Sequence, residues 1–113
     1  GHMAWSAEKS LFIDVPIDRV IAMMPTILPN IGARMCDYDP ESRIFRAAKK
    51  MSFLSYGENL MIAVIPTVKG SAVRIRSECS EANQVMDYGK NMKNIERFAQ
   101  ELSRLLGAPV YEG

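Results

Sequence analysis

The chain has 113 residues, 48% apolar and 24% charged, a balance that fits one globular domain and makes disorder an unnatural reading. Its 14 basic and 13 acidic residues leave a net charge of +1, which argues against a dedicated nucleic-acid binder, since that task draws on a surplus of Lys and Arg. The single histidine, His2, lies in Gly1-His2-Met3, which reads as a two-residue expression scar ahead of a natural start, so imidazole is expected to supply neither a general base nor a metal ligand.

Glu8 to Val15 alternates, with Leu11, Ile13 and Val15 on one side, and predicts a strand. Pro16 suits the first position of a helix. Ile17, Val20, Ile21, Met24, Leu28 and Ile31 then recur at helical spacing. Pro25 and Pro29 each remove an N–H and crowd the preceding turn, so this helix is expected to break after Met24 and continue as a turn or second short helix to Asn30, closed by Gly32.

Ala33 to Tyr38 and Arg43 to Met51 predict two strands joined by Asp39-Pro40-Glu41-Ser42, whose Asp and Pro stand where a type I turn favours them. Leu60 to Pro66 and Ala72 to Cys79 predict a second hairpin around Thr67-Val68-Lys69-Gly70. In its last strand Val73, Ile75, Ser77 and Cys79 share one face, and Arg74, Arg76 and Glu78 share a wet one. Tyr88, Met92, Ile95, Phe98, Ala99, Leu102, Leu105 and Leu106 step by threes and fours and predict a helix from Asp87 to Leu106, with Asp87 as its cap and Gly107 and Pro109 at its end.

The expected architecture is α+β, in the order β-α-β-β-β-β-α. Four successive strands pair as a meander, and the first strand pairs with the last. That gives a five-stranded antiparallel sheet of order 1-5-4-3-2, with a broken N-terminal helix and a long C-terminal helix on one face. The domain is expected to run from residue 5 to 107. The chain lacks an apolar leader pattern near Met3 and any apolar run near the ~20 residues a span requires, so a cytoplasmic protein without a membrane span is expected.

This order of elements resembles the TATA-binding-protein-like folds, which include the START-like helix-grip domains. The resemblance implies a C-terminal helix lying across a curved sheet, often over an apolar ligand cavity. Arg74 to Phe98 also resembles an uncharacterised bacterial family that ends in a strand with "RSxS", then "DxGxN", then an amphipathic helix. Arg76, Ser77, Cys79, Ser80, Asp87, Gly89, Asn91, Ile95 and Phe98 carry that likeness. Here the stretch between Ser77 and Asp87 is slightly longer, and Cys79 stands between the two serines.

Asp37 and Asp39 could form a carboxylate pair, but beside Pro40 they read as turn formers. Cys36 and Cys79 lack a histidine or Cys-x-x-Cys partner and read as small buried hydrophobes rather than nucleophiles. At the start of the last helix, Asp87 and Gly89 read as a cap; the competing reading is an anion site with Lys90. Arg43, Arg46, Lys49, Lys50, Arg74 and Arg76 could make a basic saddle under the sheet; Asp14 and Glu78 dilute it, and a solvated face is the simpler reading. Met24, Met51, Met61, Met86 and Met92 are expected near the core, as gap fillers or as the lining of an adaptable pocket.

The functional expectation is a non-catalytic domain with a slot between sheet and C-terminal helix for a small apolar ligand. Ile62, Val73 and Ile75 would line it from the sheet, and Met92, Ile95, Phe98 and Leu102 from the helix. The alternative is a protein-interaction or regulatory module with a fully packed core and an unspecified protein partner. No catalytic residue, metal or cofactor is expected.

Overall fold

Strand alternation builds the sheet. In the computed structural model, which describes residues 5–51, 57–80 and 89–113, the strands are β1 (Ser6–Ile13), β2 (Ala33–Asp39), β3 (Ile44–Lys49), β4 (Glu58–Pro66), β5 (Ser71–Cys79) and β6 (Val110–Glu112). The helices are α1 (Ile17–Asn30) and α2 (Lys90–Leu106). The sheet is antiparallel in the order β2-β3-β4-β5-β1-β6. The order expected for the first five strands holds, including the closure of β1 on β5.

Among the described residues the sheet has six strands, where five were expected. Val110 pairs with Ile13, and Tyr111 with Phe12, on the free edge of β1. The chain therefore stays in the sheet past Gly107, where the domain was expected to end. Gly107 adopts φ 64° and donates its N–H to the Ser103 carbonyl, which turns the chain back toward that edge.

The expected break in the first helix is also corrected. α1 runs unbroken from Ile17 to Asn30 with Pro25 and Pro29 inside it. Both prolines are exposed and four residues apart, so they share the solvent side, where the carbonyls left without an N–H partner can be reached by water. On the other side Val20, Met24, Ile27 and Leu28 are buried and hold the helix on the sheet.

Leu11 and Ile13 of β1, Phe45 and Ala47 of β3, Leu60, Ile62 and Val64 of β4, and Val73 and Ile75 of β5 all point to one face. There they join Val20, Met24, Ile27 and Leu28 of α1 and Ile95, Phe98, Leu102 and Leu106 of α2 in one contiguous core. Both helices thus cover the same face of the sheet. Gly70 closes the corner between β1 and α1: a Cβ there would lie 2.5 Å from the Val15 nitrogen, and the Ser71 hydroxyl donates to the Val15 carbonyl at 2.6 Å.

The first hairpin turns as the sequence implies. The Glu41 N–H and the Ser42 hydroxyl both donate to the Asp39 carboxylate, which they hold below the ordinary carboxylate range, the Ser42 bond contributing most. Arg43 completes the turn at φ 57° and donates through Nε to the Val64 carbonyl.

Candidate functional site

The residues expected to line the slot are brought together beneath α2. Ile62, Val73, Ile75, Phe98 and Leu102 are 0% exposed and Ile95 is 1% exposed, all within the contiguous core; Met92 is half-buried. Asp87, the expected cap, and Met86 lie outside the described residues. Gly89 precedes α2 in the left-handed region at φ 75°, a conformation that favours glycine at this position.

Toward the start of α2 the same interface changes character. Lys49, Glu58 and Cys79 are neighbours in one row across β3, β4 and β5, on the core side of the sheet. Ser77 lies one step further along β5. Asn91 and Asn94, three apart on α2, descend onto this row. Asn94 donates to Glu58 Oε1 at 2.8 Å and to Ser77 Oγ at 3.1 Å, and its carbonyl oxygen accepts from Lys49 Nζ at 2.9 Å. Asn91 accepts from the Ser77 hydroxyl at 2.8 Å and donates to the Trp5 carbonyl at 2.8 Å. Glu58, Ser77, Asn91 and Asn94 are each at most 1% exposed, so this is a buried polar network.

Among the described residues, no buried side-chain nitrogen or oxygen lacks a partner. A satisfied network of this kind fixes one seating of the helix, because every alternative leaves buried polar atoms unmatched. Burial depresses the Lys49 amine below its usual range, the nearby positive charges of Lys90 and Arg97 add to that, and the Glu58 carboxylate opposes it. The network gathers a carboxylate, an amine and a hydroxyl, yet all are engaged in holding α2. Among the described residues, no group of acidic, Cys and His side chains could hold a metal ion.

Among the described residues, no helix covers the opposite face of the sheet. Its side chains form rows across the strands: Ser6, Glu78, Asn59 and Ala48; then Glu8, Arg76, Met61 and Arg46; then Ser10, Arg74, Ala63 and Ile44. The last row is apolar, with Tyr111, Phe12, Ala72 and Ile65 side by side on β6, β1, β5 and β4. Phe12 is 37%, Ile65 45% and Tyr111 54% exposed.

An open groove of about 360 Å³ crosses this face over Met61, bounded by Arg46, Arg76, Asn59, Glu78 and Cys36. The Arg46 guanidinium rests against the Met61 sulfur at 3.6 Å, Arg76 meets Glu78 at 3.4 Å and Arg74 meets Glu8 at 4.0 Å. Of the expected basic saddle, Arg46, Arg74 and Arg76 share this face. Lys49 points into the core side and Arg43 serves the hairpin.

Cys36 corrects another expectation. It is exposed, beside the β-bulge between Met35 and Asp37, whereas Cys79 is buried. Both cysteines are free. Met51 is exposed as well, at 68%, and Met61, half-buried, lies on the outer face rather than near the core, while Met24 is fully buried. Among the described residues, no helix is long and apolar enough to cross a membrane.

The polar network was missed by sequence reasoning, although a signal existed. Asn91 and Asn94 fall on the stripe that Ile95, Phe98 and Leu102 continue, and Glu58 falls in phase with Leu60, Ile62 and Val64. A polar residue in phase with a buried stripe announces a buried polar contact. No protein-family model matches this chain, and no curated protein matches it significantly.

Proposed function

We propose that this domain is a non-catalytic interaction module that works through the uncovered face of its sheet. The observation that carries the reading is the exposure of Phe12, Ile65 and Tyr111 together on that face, in one row with Ala72. Large apolar side chains gathered on one surface mark association sites, whereas scattered ones need no explanation. The buried state of the side chains under α2 supports the same reading, since it leaves the outer face as the accessible surface with matching chemistry.

The test is a photo-crosslinking amino acid placed at Phe12 or Ile65, with Val68 at the hairpin tip as control. Adducts from the two face positions and not from Val68 are the expected result. Equal yields at all three positions, or none from the face, would overturn the reading.

A second reading is the small apolar ligand held between sheet and α2, in the manner of a START-like helix-grip domain. It is favoured by one observation: α2 lies across β5, β1 and β6 on the covered face, with the side chains named for the slot on either side of that contact. In this reading Ile62, Val73, Ile75, Met92, Ile95, Phe98 and Leu102 would part to admit the ligand. Binding of fatty acids or small aromatics, read by thermal shift, tests it.

A further inference from the structure

We infer that the occupant of the uncovered face is a second copy of this chain, stacked sheet to sheet about a two-fold axis parallel to β4 and β5. The inference rests on the interaction reading above and names its partner.

The charge pattern of the face selects this partner. Arg46, Arg74 and Arg76 are mixed there with Glu8 and Glu78. A uniformly acidic surface would meet the two glutamates, and a uniformly basic one the three arginines. A surface carrying the same mixture can match sign to sign, and the net charge of +1 puts little long-range repulsion between copies.

A two-fold interface is self-complementary, and the register shows what it would pair. An axis running between β4 and β5 reverses each row on itself. In the row Glu8, Arg76, Met61 and Arg46, Glu8 then faces Arg46 of the second copy, twice, and Arg76 of one copy enters the groove over Met61 of the other. In the apolar row, Ala72 and Ile65 face each other across the axis, and Phe12 packs at their flank.

The four strands that face one another across this axis, β3, β4, β5 and β1, at ~4.8 Å spacing and about eight residues of ~3.3 Å give a footprint on the order of 500 Å² per copy. The total of about 1,000 Å² is in the range of weak association, so a weak, concentration-dependent dimer is expected.

The test is sedimentation equilibrium of the whole chain at low and physiological salt, on the wild type and on Glu8→Arg, Arg46→Glu and the double variant. The wild type is expected to be a dimer that dissociates on dilution. Each single reversal is expected to raise the dissociation constant at least about tenfold, because it places like charges opposite each other. The double variant is expected to recover the wild-type value. Recovery cannot come from a contact within one chain, since β5 and β4 stand between the two positions and separate them by ~14 Å.

Melting curves of each variant establish that it folds, and the wild-type measurement stands without any variant. A wild type that stays monomeric to millimolar concentration overturns the inference, as does a double variant no tighter than the singles. If the wild type is monomeric but the crosslinker at Phe12 captures a different protein, the second copy is excluded while the interaction reading survives.

Discussion

The two faces of this sheet are built from the same strands, one residue out of phase, and they follow opposite rules. On the inner face almost every side chain is sealed from water, and polar ones are admitted only inside a closed network. On the outer face arginines and glutamates are mixed, and aromatic and branched side chains stand half in solvent. Inner-face residues are therefore expected to govern stability. Outer-face residues are free to govern association, because folding does not depend on what they touch.

The largest effect expected from this contrast is at Phe98. Phe98→Ala removes a ring with 0% exposure from the centre of the core and should cost about 3–5 kcal/mol in denaturant melts. Phe98→Trp should cost about 1–3 kcal/mol by overpacking. A tolerated Trp would mean that space exists beside the ring and would weaken the contrast.

Next comes the network. Asn94→Leu removes one partner from each of Lys49, Glu58 and Ser77, and should cost about 1–3 kcal/mol, more if the charged groups dominate. The depressed Lys49 amine binds its proton less readily folded than unfolded, so its share of stability should rise with pH as the amine approaches its ordinary value of 10.5. Lys49→Met should flatten that part of the pH profile.

On the outer face, Phe12→Ser and Ile65→Thr should each change stability by no more than about 0.5 kcal/mol, as is usual for surface positions. A large loss there would mean that the face contributes to folding itself, and the division between the two faces would fail.

The smallest effect expected is at the surface of α2. Arg104 and Asn30 both hydrogen-bond Glu101 and hold its carboxyl at about 2, down from 4.5. A depressed carboxyl contributes stability above pH 4.5 and loses it as pH falls through about 2. Carbon-detected NMR titration should place the Glu101 midpoint well below the ordinary value, and Arg104→Ala should move it back up.

Much of the fold was legible because the relevant signals are periodic. Strand alternation and the long stripe of α2 give the first five strands, their order and the covered face. What escaped lies where periodicity is too short or is overridden. Val110–Glu112 offers three residues, too few to show alternation, and forms a strand because the free edge of β1 is beside it. Pro25 and Pro29 carry a strong local signal for a break, and the buried stripe of Val20, Met24, Ile27 and Leu28 outweighs it. Cys36 looked buried by residue type, but it alternates with Ala33 and Met35, which face the core, and so points outward with Arg34; the bulge that follows brings Tyr38 rather than Asp37 to the core side. The network joins residues up to 86 positions apart, so only its in-phase polar residues could have announced it.

If the core beneath α2 admits no ligand and association runs through the outer face, methyl-labelled NMR of Ile62, Ile75, Ile95 and Leu102 during titration with fatty acids and small aromatics should leave these four methyl sets in place to saturation. Saturable shifts confined to them would show a ligand entering between sheet and helix, and would transfer the function from the outer face to the inner one.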